Sequence, residues 1–390
     1  MGFDPAAPLP GLPPPEDLSR PPAAREGPPY AMTEMIAAEP ALAERLLTAL
    51  ADDPAVHAVT DAIRQAVEAA HRVTFTGCGT SEHAAMAATA VVRETLRADG
   101  FADALIGSAQ AFELLGRPQR AGVMVAISHD GGTWATNEAL REATEAGATT
   151  ALITVSDRSD AAQLTRLVIQ TRERDQSWCH TVGYLSPMLA VCALAAALRG
   201  GRPDAIASRA LLDAADDAPV AEAAAVALAG CERLVITGSG ADDVAARELA
   251  LKIEEGVHLP TLALQLETVR HGHLAATNER TGLVLVLTDA EQRGGIVVER
   301  ARAILRSAQA LGMPAAAIVA ADLGDDIEQS LTPAGRLTVP LTGRLPRVEA
   351  ALLGSAIPLQ QLTERLARAR GINPDPIGRD DPRQAAAADA

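Results

Sequence analysis

Two segments of the chain, about 160 residues apart, share one pattern. Residues 72–79 read RVTFTGCG and residues 233–240 read RLVITGSG. A short apolar run that ends in a glycine turn before a helix is typical of the start of a β–α unit. Two more pairs of apolar runs recur at nearly the same offset and in the same order: 123–127 with 283–287, and 151–155 with 315–319. The chain is therefore predicted to be an internal duplication.

Helical patterns lie between the predicted strands. Further strands are predicted at 102–106, 150–155 and 336–340, and helices at 134–147, 184–199 and 346–369. Such alternation is typical of a parallel sheet with helices on both faces, so the predicted fold class is α/β. The predicted domains are a disordered proline- and alanine-rich tail (1–29), a first α/β domain (30–203), a second α/β domain (204–345), and a C-terminal helix with an irregular tail (346–390).

Composition argues against several classes of function. The formal net charge of −16 disfavours nucleic acid or an anionic membrane surface as a partner. We find no apolar run of the roughly 18 residues that a membrane span needs, and no signal peptide at the N-terminus. The cysteines show neither metal-ligand spacing nor the density of a disulfide framework, so we expect free thiols in a cytoplasmic protein. They are Cys78, Cys179, Cys192 and Cys231.

Lys252 is the only lysine in the sequence. Read as a helix, Glu248, Lys252 and Glu255 fall at i, i+4 and i+7 and share one face. A desolvated lysine can act as a base or form a Schiff base, which arginine cannot do. The alternative is a solvated Glu–Lys pair worth roughly 0.3–0.5 kcal/mol.

Two loops follow predicted strands of the first repeat. One contains Cys78, Gly79, Thr80 and Ser81, and the other contains Ser128, His129, Asp130 and Thr133. Ligands of open parallel sheets bind beyond the carboxyl ends of the strands, so we expect these loops to meet there with segment 177–181, which contains His180. Hydroxyls and backbone N–H groups at a helix start suit an anion. The alternatives are an ordinary capped strand–turn–helix junction and a packed or surface position for His180.

A histidine follows the predicted helix of the second repeat. His271 lies in the run ETVRHGH, next to a glycine that suits a mobile or tightly turned loop. Histidine is the natural proton shuttle near neutral pH, which makes His271 a candidate acid or base. The alternative is an ordinary histidine of a surface loop.

Together these segments resemble the double sugar-isomerase (SIS) domain family, and in particular the isomerase half of glutamine–fructose-6-phosphate aminotransferase. The resemblance covers about residues 30–382. Residues 78–81 are similar to the first sugar-phosphate loop of the family, 128–133 to its phosphate loop, 248–255 to its catalytic helix, 270–272 to its ring-opening histidine loop, and the end of the chain to its C-terminal tail.

The resemblance implies two three-layer α/β/α domains with five-stranded, flavodoxin-like parallel sheets. It implies that Glu255 moves a proton between C1 and C2, that Lys252 assists at the sugar hydroxyls, and that His271 opens the ring. In the family this histidine reaches in from a second subunit, so a homodimer is implied. The two loops, His180 and Glu248 would bind the sugar or sugar phosphate. Such chemistry requires no metal or organic cofactor.

The sequence departs from the family pattern at two places. Asp130 stands where the family usually has a serine, and a carboxylate facing a phosphate repels it by about 1 kcal/mol at contact distance in water. The substrate therefore lacks a phosphate there, or Asp130 points away. The tail carries no lysine for the Schiff base of the family. We also expect no glutaminase domain before residue 30, so glutamine-dependent amination is not expected unless another polypeptide delivers ammonia.

The residues and the resemblance together predict an aldose–ketose isomerase that acts on a sugar or amino sugar, expected to be phosphorylated, with or without release of an amine. The alternative is a non-catalytic sensor of sugar phosphates, which would not need the glutamate and lysine of the catalytic helix. A structural partner protein is a third possibility. The sequence does not distinguish isomerase, deaminase and deglycase, and it does not name the sugar.

Overall fold

The structure is a computed structural model, and it describes residues 2–13, 25–289 and 295–388. The chain divides into two compact units. The first comprises Met1–Pro21, Ala38–Asp175 and Val182–Arg209, and the second comprises Pro22–Ala37, Gln176–Thr181 and Ala210–Ala390. The boundaries that the sequence suggested, at 29/30, 203/204 and 345/346, remain predictions.

The first unit contains a parallel sheet of five strands in the order β2-β1-β3-β4-β5. The strands are β1 (Val73–Gly77), β2 (Ile106–Gln110), β3 (Val123–Ile127), β4 (Thr149–Thr154) and β5 (Leu167–Gln170). The α-helices up to residue 215 of the chain are α1 (Ala31–Leu50), α2 (Pro54–Glu68), α3 (Thr80–Ala98), α4 (Trp134–Ala146), α5 (Val182–Leu198) and α6 (Ala205–Ala215). The inner strands β1 and β3 are buried at every residue, as apolar strands covered on both faces must be.

The second unit contains a parallel sheet with the order β10-β9-β8-β6-β7. Its strands are β6 (Arg233–Gly238), β7 (Thr261–Gln265), β8 (Thr281–Leu287), β9 (Ala315–Ala320) and β10 (Gly335–Val339). Its helices are α7 (Ala218–Leu228), α8 (Ala241–Val257), α9 (Gly295–Ala310), α10 (Arg347–Ala369) and α11 (Pro382–Ala388). Read from β7, this order repeats that of the first sheet. The predicted pair of five-stranded, flavodoxin-like sheets is confirmed.

The duplication extends to backbone angles. Gly79 has φ 58° and ψ −128°, and Gly240 has φ 70° and ψ −127°. A Cβ on Gly77 would lie 2.7 Å from the carbonyl oxygen of Ser81, and a Cβ on Gly238 would lie 2.3 Å from that of Asp242. Both glycine turns therefore let the following helix approach its strand more closely than a side chain permits.

The prediction was accurate for the inner strands and for the edge strand β10, and poor at the three other sheet edges. The predicted strand 102–106 is wrong, because β2 begins at Ile106 and Leu105 is 54% exposed. Strands β5 and β7 had no predicted counterpart. All three are edge strands with many partly exposed residues, so their apolar signal is weak. Strand β3 and the helices near 134–147, 184–199 and 346–369 agree with the prediction to within about two residues.

Helix α8 lies inside the second unit. It packs against β6 and β7 on one side and against α10 on another. This double cover buries polar as well as apolar side chains of the helix, among them Glu248 and Lys252. The fold therefore removes Glu248 and Lys252 from water.

The N-terminal segment 2–13 has no helix or strand, yet it contacts the first unit. Leu9 and Leu12 are buried, and the backbone N–H of Leu9 donates to the Glu173 carboxylate at 2.8 Å. The predicted disordered tail also covers 14–24, which lie outside the described residues. Within the described part of the chain, no helix is long and apolar enough to cross a membrane.

Candidate active site

A buried ion cluster occupies the polar face of α8. The Lys252 Nζ lies 3.7 Å from a carboxylate oxygen of Glu248 and forms a short hydrogen bond to the Glu255 carboxylate. The side chains of Lys252 and Glu248 are fully buried, whereas that of Glu255 is 25% exposed. The three groups therefore lie together, as the helical spacing predicts. Because Lys252 is buried, the alternative of a solvated Glu–Lys pair does not hold.

The Lys252 amine is held in its charged form. Burial alone would lower the pKa of Lys252, but the Glu255 and Glu248 carboxylates, with a smaller contribution from Cys179, outweigh it and raise the pKa. The Cys179 thiol also donates to the Lys252 carbonyl oxygen at 3.7 Å. An ammonium with two carboxylates suits charge stabilisation rather than nucleophilic attack.

The loops after β1 and β3 meet in the first unit. The Cys78 Sγ lies 3.7 Å from the Thr136 hydroxyl, in the first turn of α4, and 3.8 Å from the Gln110 amide nitrogen. In the described structure neither Gly79 nor Thr133 caps its helix, α3 or α4, with a side-chain hydrogen bond. Two helix N-termini with their partial positive charge therefore lie at the carboxyl edge of the sheet, where an anion is stabilised.

The loop after β3 is fixed against β4. The Ser128 N–H donates to the Ile153 carbonyl at 3.1 Å, and the His129 carbonyl accepts from Val155 N–H and the Thr154 hydroxyl, both at 3.0 Å. A Cβ on Gly131 would lie 2.4 Å from Ser159, and Gly131 has φ +70°. Glycine is therefore required for the loop to lie this close to the next one.

His129 is a buried hydrogen-bond acceptor. Its Nε2 accepts from the backbone N–H of Asp175 at 2.9 Å, which places the proton of a neutral ring on Nδ1. Burial lowers the pKa of His129, and the opposing effects of Asp130 and Asp175 are smaller. His129 is therefore neutral at pH 7, and one of its two ring nitrogens is occupied by the backbone.

Asp130 faces a cation. Arg174, which follows β5, donates to both carboxylate oxygens of Asp130, with its Nη2 at 3.0 Å and its Nε at 3.2 Å. The Arg174 side chain is 11% exposed and that of Asp130 is 36% exposed. The carboxylate in the predicted phosphate loop is thus neutralised by a guanidinium, which offsets the repulsion inferred from the sequence.

The corresponding edge of the second unit is closed by a carboxylate. Asp242, which stands where the first unit has Ser81, is buried and accepts from the backbone N–H of Thr288 at 2.9 Å and of Asp289 at 3.1 Å. The Thr288 hydroxyl donates to it as well. These donors follow β8 as Ser128 and His129 follow β3, so this edge of the second unit already holds a negative charge.

The remaining predicted residues lie outside the ion cluster of α8. His180 belongs to the second unit, where its neighbour Cys179 donates to the Lys252 carbonyl. The expectation that segment 177–181 meets the loops after β1 and β3 stays a prediction. His271 lies on an exposed turn, 71% exposed, with its Nε2 3.1 Å from the Glu267 carboxylate. Glu267 in turn accepts from Arg300 at 2.6 Å. Thr80 is buried at the start of α3, and Ser81 is half-buried.

Sequence reasoning missed several polar residues at these edges. They are Gln110, Thr136, Arg174, Asp175 and Asp242. Most of them follow a strand or begin a helix at a carboxyl edge, so complete strand assignment would have drawn attention to them. Among the described residues no group of three or more His, Cys, Asp or Glu side chains could hold a metal ion.

The two sheets define a duplicated α/β protein with hydroxyl- and glycine-rich loops at the carboxyl edge of its first sheet. Residues 67–198 match the model of the SIS domain family. No curated protein sequence matches the chain.

Several solved structures share the fold of this chain. The C-terminal domain of glucosamine-fructose-6-phosphate aminotransferase from Francisella tularensis has a TM-score of 0.75 at 18% identity, covering 90% of this chain and 99% of that one. Tagatose-6-phosphate ketose/aldose isomerase from Escherichia coli has a TM-score of 0.68 at 19% identity, covering 91% of this chain and 97% of that one. Glucosamine-6-phosphate deaminase from Thermotoga maritima has a TM-score of 0.60 at 17% identity, covering 86% of this chain and 97% of that one.

Proposed function

We propose that the protein catalyses aldose–ketose isomerisation of a sugar or amino-sugar phosphate, with or without release of an amine. The three similar structures named above are an aminotransferase, an isomerase and a deaminase, and each name contains a sugar 6-phosphate. Isomerisation and amine release at C1 or C2 both begin with a proton transfer between these carbons.

The observation that carries the proposal is the state of the α8 cluster. A buried ion pair contributes little net stability, because desolvation of both groups offsets their attraction. A helix that served only as scaffold, or a protein that only bound sugars, would be as stable with apolar residues there. Lys252 is nevertheless fully buried beside Glu255, which stays partly exposed. A carboxylate within reach of substrate and next to a fixed ammonium suits proton transfer.

We assign roles as follows. Glu255 takes the proton from one carbon and returns it to its neighbour. The Lys252 ammonium stabilises the negative charge that develops on the enediolate oxygen, and Glu248 holds Lys252 in place. His271 opens the sugar ring, acting on the substrate of a second subunit in a homodimer. The loops at 78–81 and 128–133 bind the phosphate with the N-termini of α3 and α4.

A thermal-shift screen of hexoses, hexosamines and their 6-phosphates identifies the substrate class, since a ligand at 100 times its Kd adds about 2.7 kcal/mol of stability. The test then uses Glu255→Gln with the ligand found. Exchange of the C1 or C2 proton with D₂O, followed by NMR, should slow by about 10²–10⁴-fold while binding is retained.

The matched control is Glu254→Gln, which removes an exposed carboxylate one residue away and should exchange at the wild-type rate. Exchange by Glu255→Gln within a few-fold of wild type would remove Glu255 from the mechanism. Tight binding without exchange or turnover by the wild-type protein would instead support a sugar-phosphate sensor.

A further inference from the structure

Two exposed aromatic rings lie side by side in the first unit. Phe112 is 57% exposed and Trp134 is 64% exposed, and their ring centroids are 6.4 Å apart at an interplanar angle of 50°. Aromatic residues make up only 2% of the sequence. Because both rings are mostly outside the core, packing accounts for little of their surface.

The aromatic pair is attached to the candidate anion loops. Phe112 donates its backbone N–H to the Gln110 side chain at 2.6 Å, and the Gln110 amide lies 3.8 Å from the Cys78 sulfur. Cys78 contacts Thr136, two residues after Trp134. Trp134 itself is the first residue of α4, directly after Thr133. One short series of contacts therefore joins both rings to the loops that follow β1 and β3.

The rings form a tilted apolar corner beside a polar, anion-accepting edge. Binding sites for small molecules combine apolar and aromatic walls with a few polar groups that fix orientation. A sugar presents its C–H groups as a weakly positive apolar face, which fits the negative face of an aromatic ring. A phosphorylated sugar has both parts that this surface would contact.

We propose that Phe112 and Trp134 form an aromatic subsite that contacts the carbon skeleton of the sugar whose phosphate is bound by the loops at 78–81 and 128–133. The inference rests on the proposed function, because it assumes that these loops bind a phosphate. It adds that the two rings set affinity for the sugar and not for the phosphate.

Tryptophan fluorescence can report directly on binding at the subsite. The chain has two tryptophans, and Trp178→Phe leaves Trp134 as the single emitter while keeping an aromatic ring against Arg379. This variant is titrated with inorganic phosphate, fructose 6-phosphate and glucosamine 6-phosphate. At least one sugar phosphate should shift or quench the Trp134 emission, whereas saturating inorganic phosphate should leave it nearly unchanged.

Affinity provides the second readout, measured by calorimetry on the full chain. Trp134→Ala should weaken the sugar phosphate on the order of tenfold and leave the affinity for inorganic phosphate unchanged. Trp134→Phe keeps a ring and should recover much of the loss. Because the side chain is exposed, none of these variants should change the melting temperature by more than about 2 °C.

Three results would overturn the inference. Sugar phosphates that bind equally well to wild type and Trp134→Ala, with silent emission, would refute the subsite and leave the proposed function standing. No binding of either phosphate or sugar phosphate would refute the proposed function as well. A change of oligomeric state in Trp134→Ala, with unchanged sugar affinity, would assign the rings to a contact between copies of the chain.

Discussion

Replacing Lys252 by methionine tests whether the Lys252 ammonium compensates the charge of the buried Glu248 carboxylate. The change removes the ammonium and keeps an unbranched side chain of similar length. Glu248, fully buried and 3.7 Å from the Nζ, then loses the cation that balances its charge. Removing one partner of a buried ion pair costs about 3–5 kcal/mol. Glu255 is 25% exposed, so solvent screens it, and most of the loss should come from Glu248.

Calorimetry measures the effect. A loss of 1 kcal/mol lowers the melting temperature of a cooperative unit of about 150–250 residues by about 2–4 °C, so Lys252→Met should melt about 6–20 °C below wild type at pH 8. Lowering the pH should recover part of the difference, because protonation of Glu248 removes the uncompensated charge. Arg280→Met is the matched control. It removes a cation that is 60% exposed and paired with Glu232, itself 58% exposed, and should cost no more than about 1 kcal/mol.

A second variant decides whether the loss is electrostatic. The double change Glu248→Gln with Lys252→Met should recover much of the stability of the single variant, because it removes both charges. If Lys252→Met melts within 2 °C of wild type, or if the double variant melts below the single one, Lys252 does not stabilise the fold by compensating the charge of Glu248.

Chemistry at Lys252 gives an independent check. Lys252→Arg keeps the charge but should lose most of the activity, because a guanidinium does not fit where a fully buried ammonium lies. Borohydride treatment with substrate should leave no sugar adduct on Lys252. An adduct found by mass spectrometry would establish a Schiff base and overturn the role as a fixed cation.

Three further outcomes are expected. Asp130→Ser should tighten binding of a sugar phosphate relative to the free sugar, because it releases Arg174 beside the loop; weaker binding in calorimetry would contradict this. His129→Gln should make stability less sensitive to acid. Burial lowers the pKa of His129, so at pH values below about 6.5 the wild-type protein loses stability, by at most about 1.4 kcal/mol per pH unit. Melting temperatures measured at several pH values test this slope. Mixing inactive Glu255→Gln and His271→Ala chains under subunit exchange should restore part of the activity, whereas no recovery in hybrids would exclude an active site shared between subunits.

The part of the site that lies on one helix could be predicted from the sequence. Glu248, Lys252 and Glu255 meet because helical spacing alone places them on one face, and the structure has them in contact. Burial of this face could not be predicted in the same way. It depends on the cover that β6, β7 and α10 provide, and α10 lies about 100 residues further along the chain.

The part of the site that depends on strand order could not be predicted. Asp130 and Arg174 are 44 residues apart and follow β3 and β5. Their pairing requires β5 to lie beyond β4 in the sheet, and β5 is a short edge strand with a weak apolar pattern. The sequence therefore suggested an uncompensated carboxylate at Asp130, whereas the folded chain neutralises it. Inner strands such as β3 were predicted closely because both faces are buried.

The two halves of the duplication share the backbone geometry of the glycine turn but carry different side chains after it. After β1 the helix start carries Ser81, and after β6 it carries Asp242, with nearly the same glycine geometry before each. In the second unit the carboxylate accepts from the Thr288 and Asp289 N–H groups, so a phosphate there would have to displace a buried charge that already holds those donors. Displacing it would leave Asp242 uncompensated beside a dianion, and like charges at contact distance repel. The first unit has the uncharged Ser81 hydroxyl at this position, which is why we propose that the phosphate binds there and that each chain binds one phosphate.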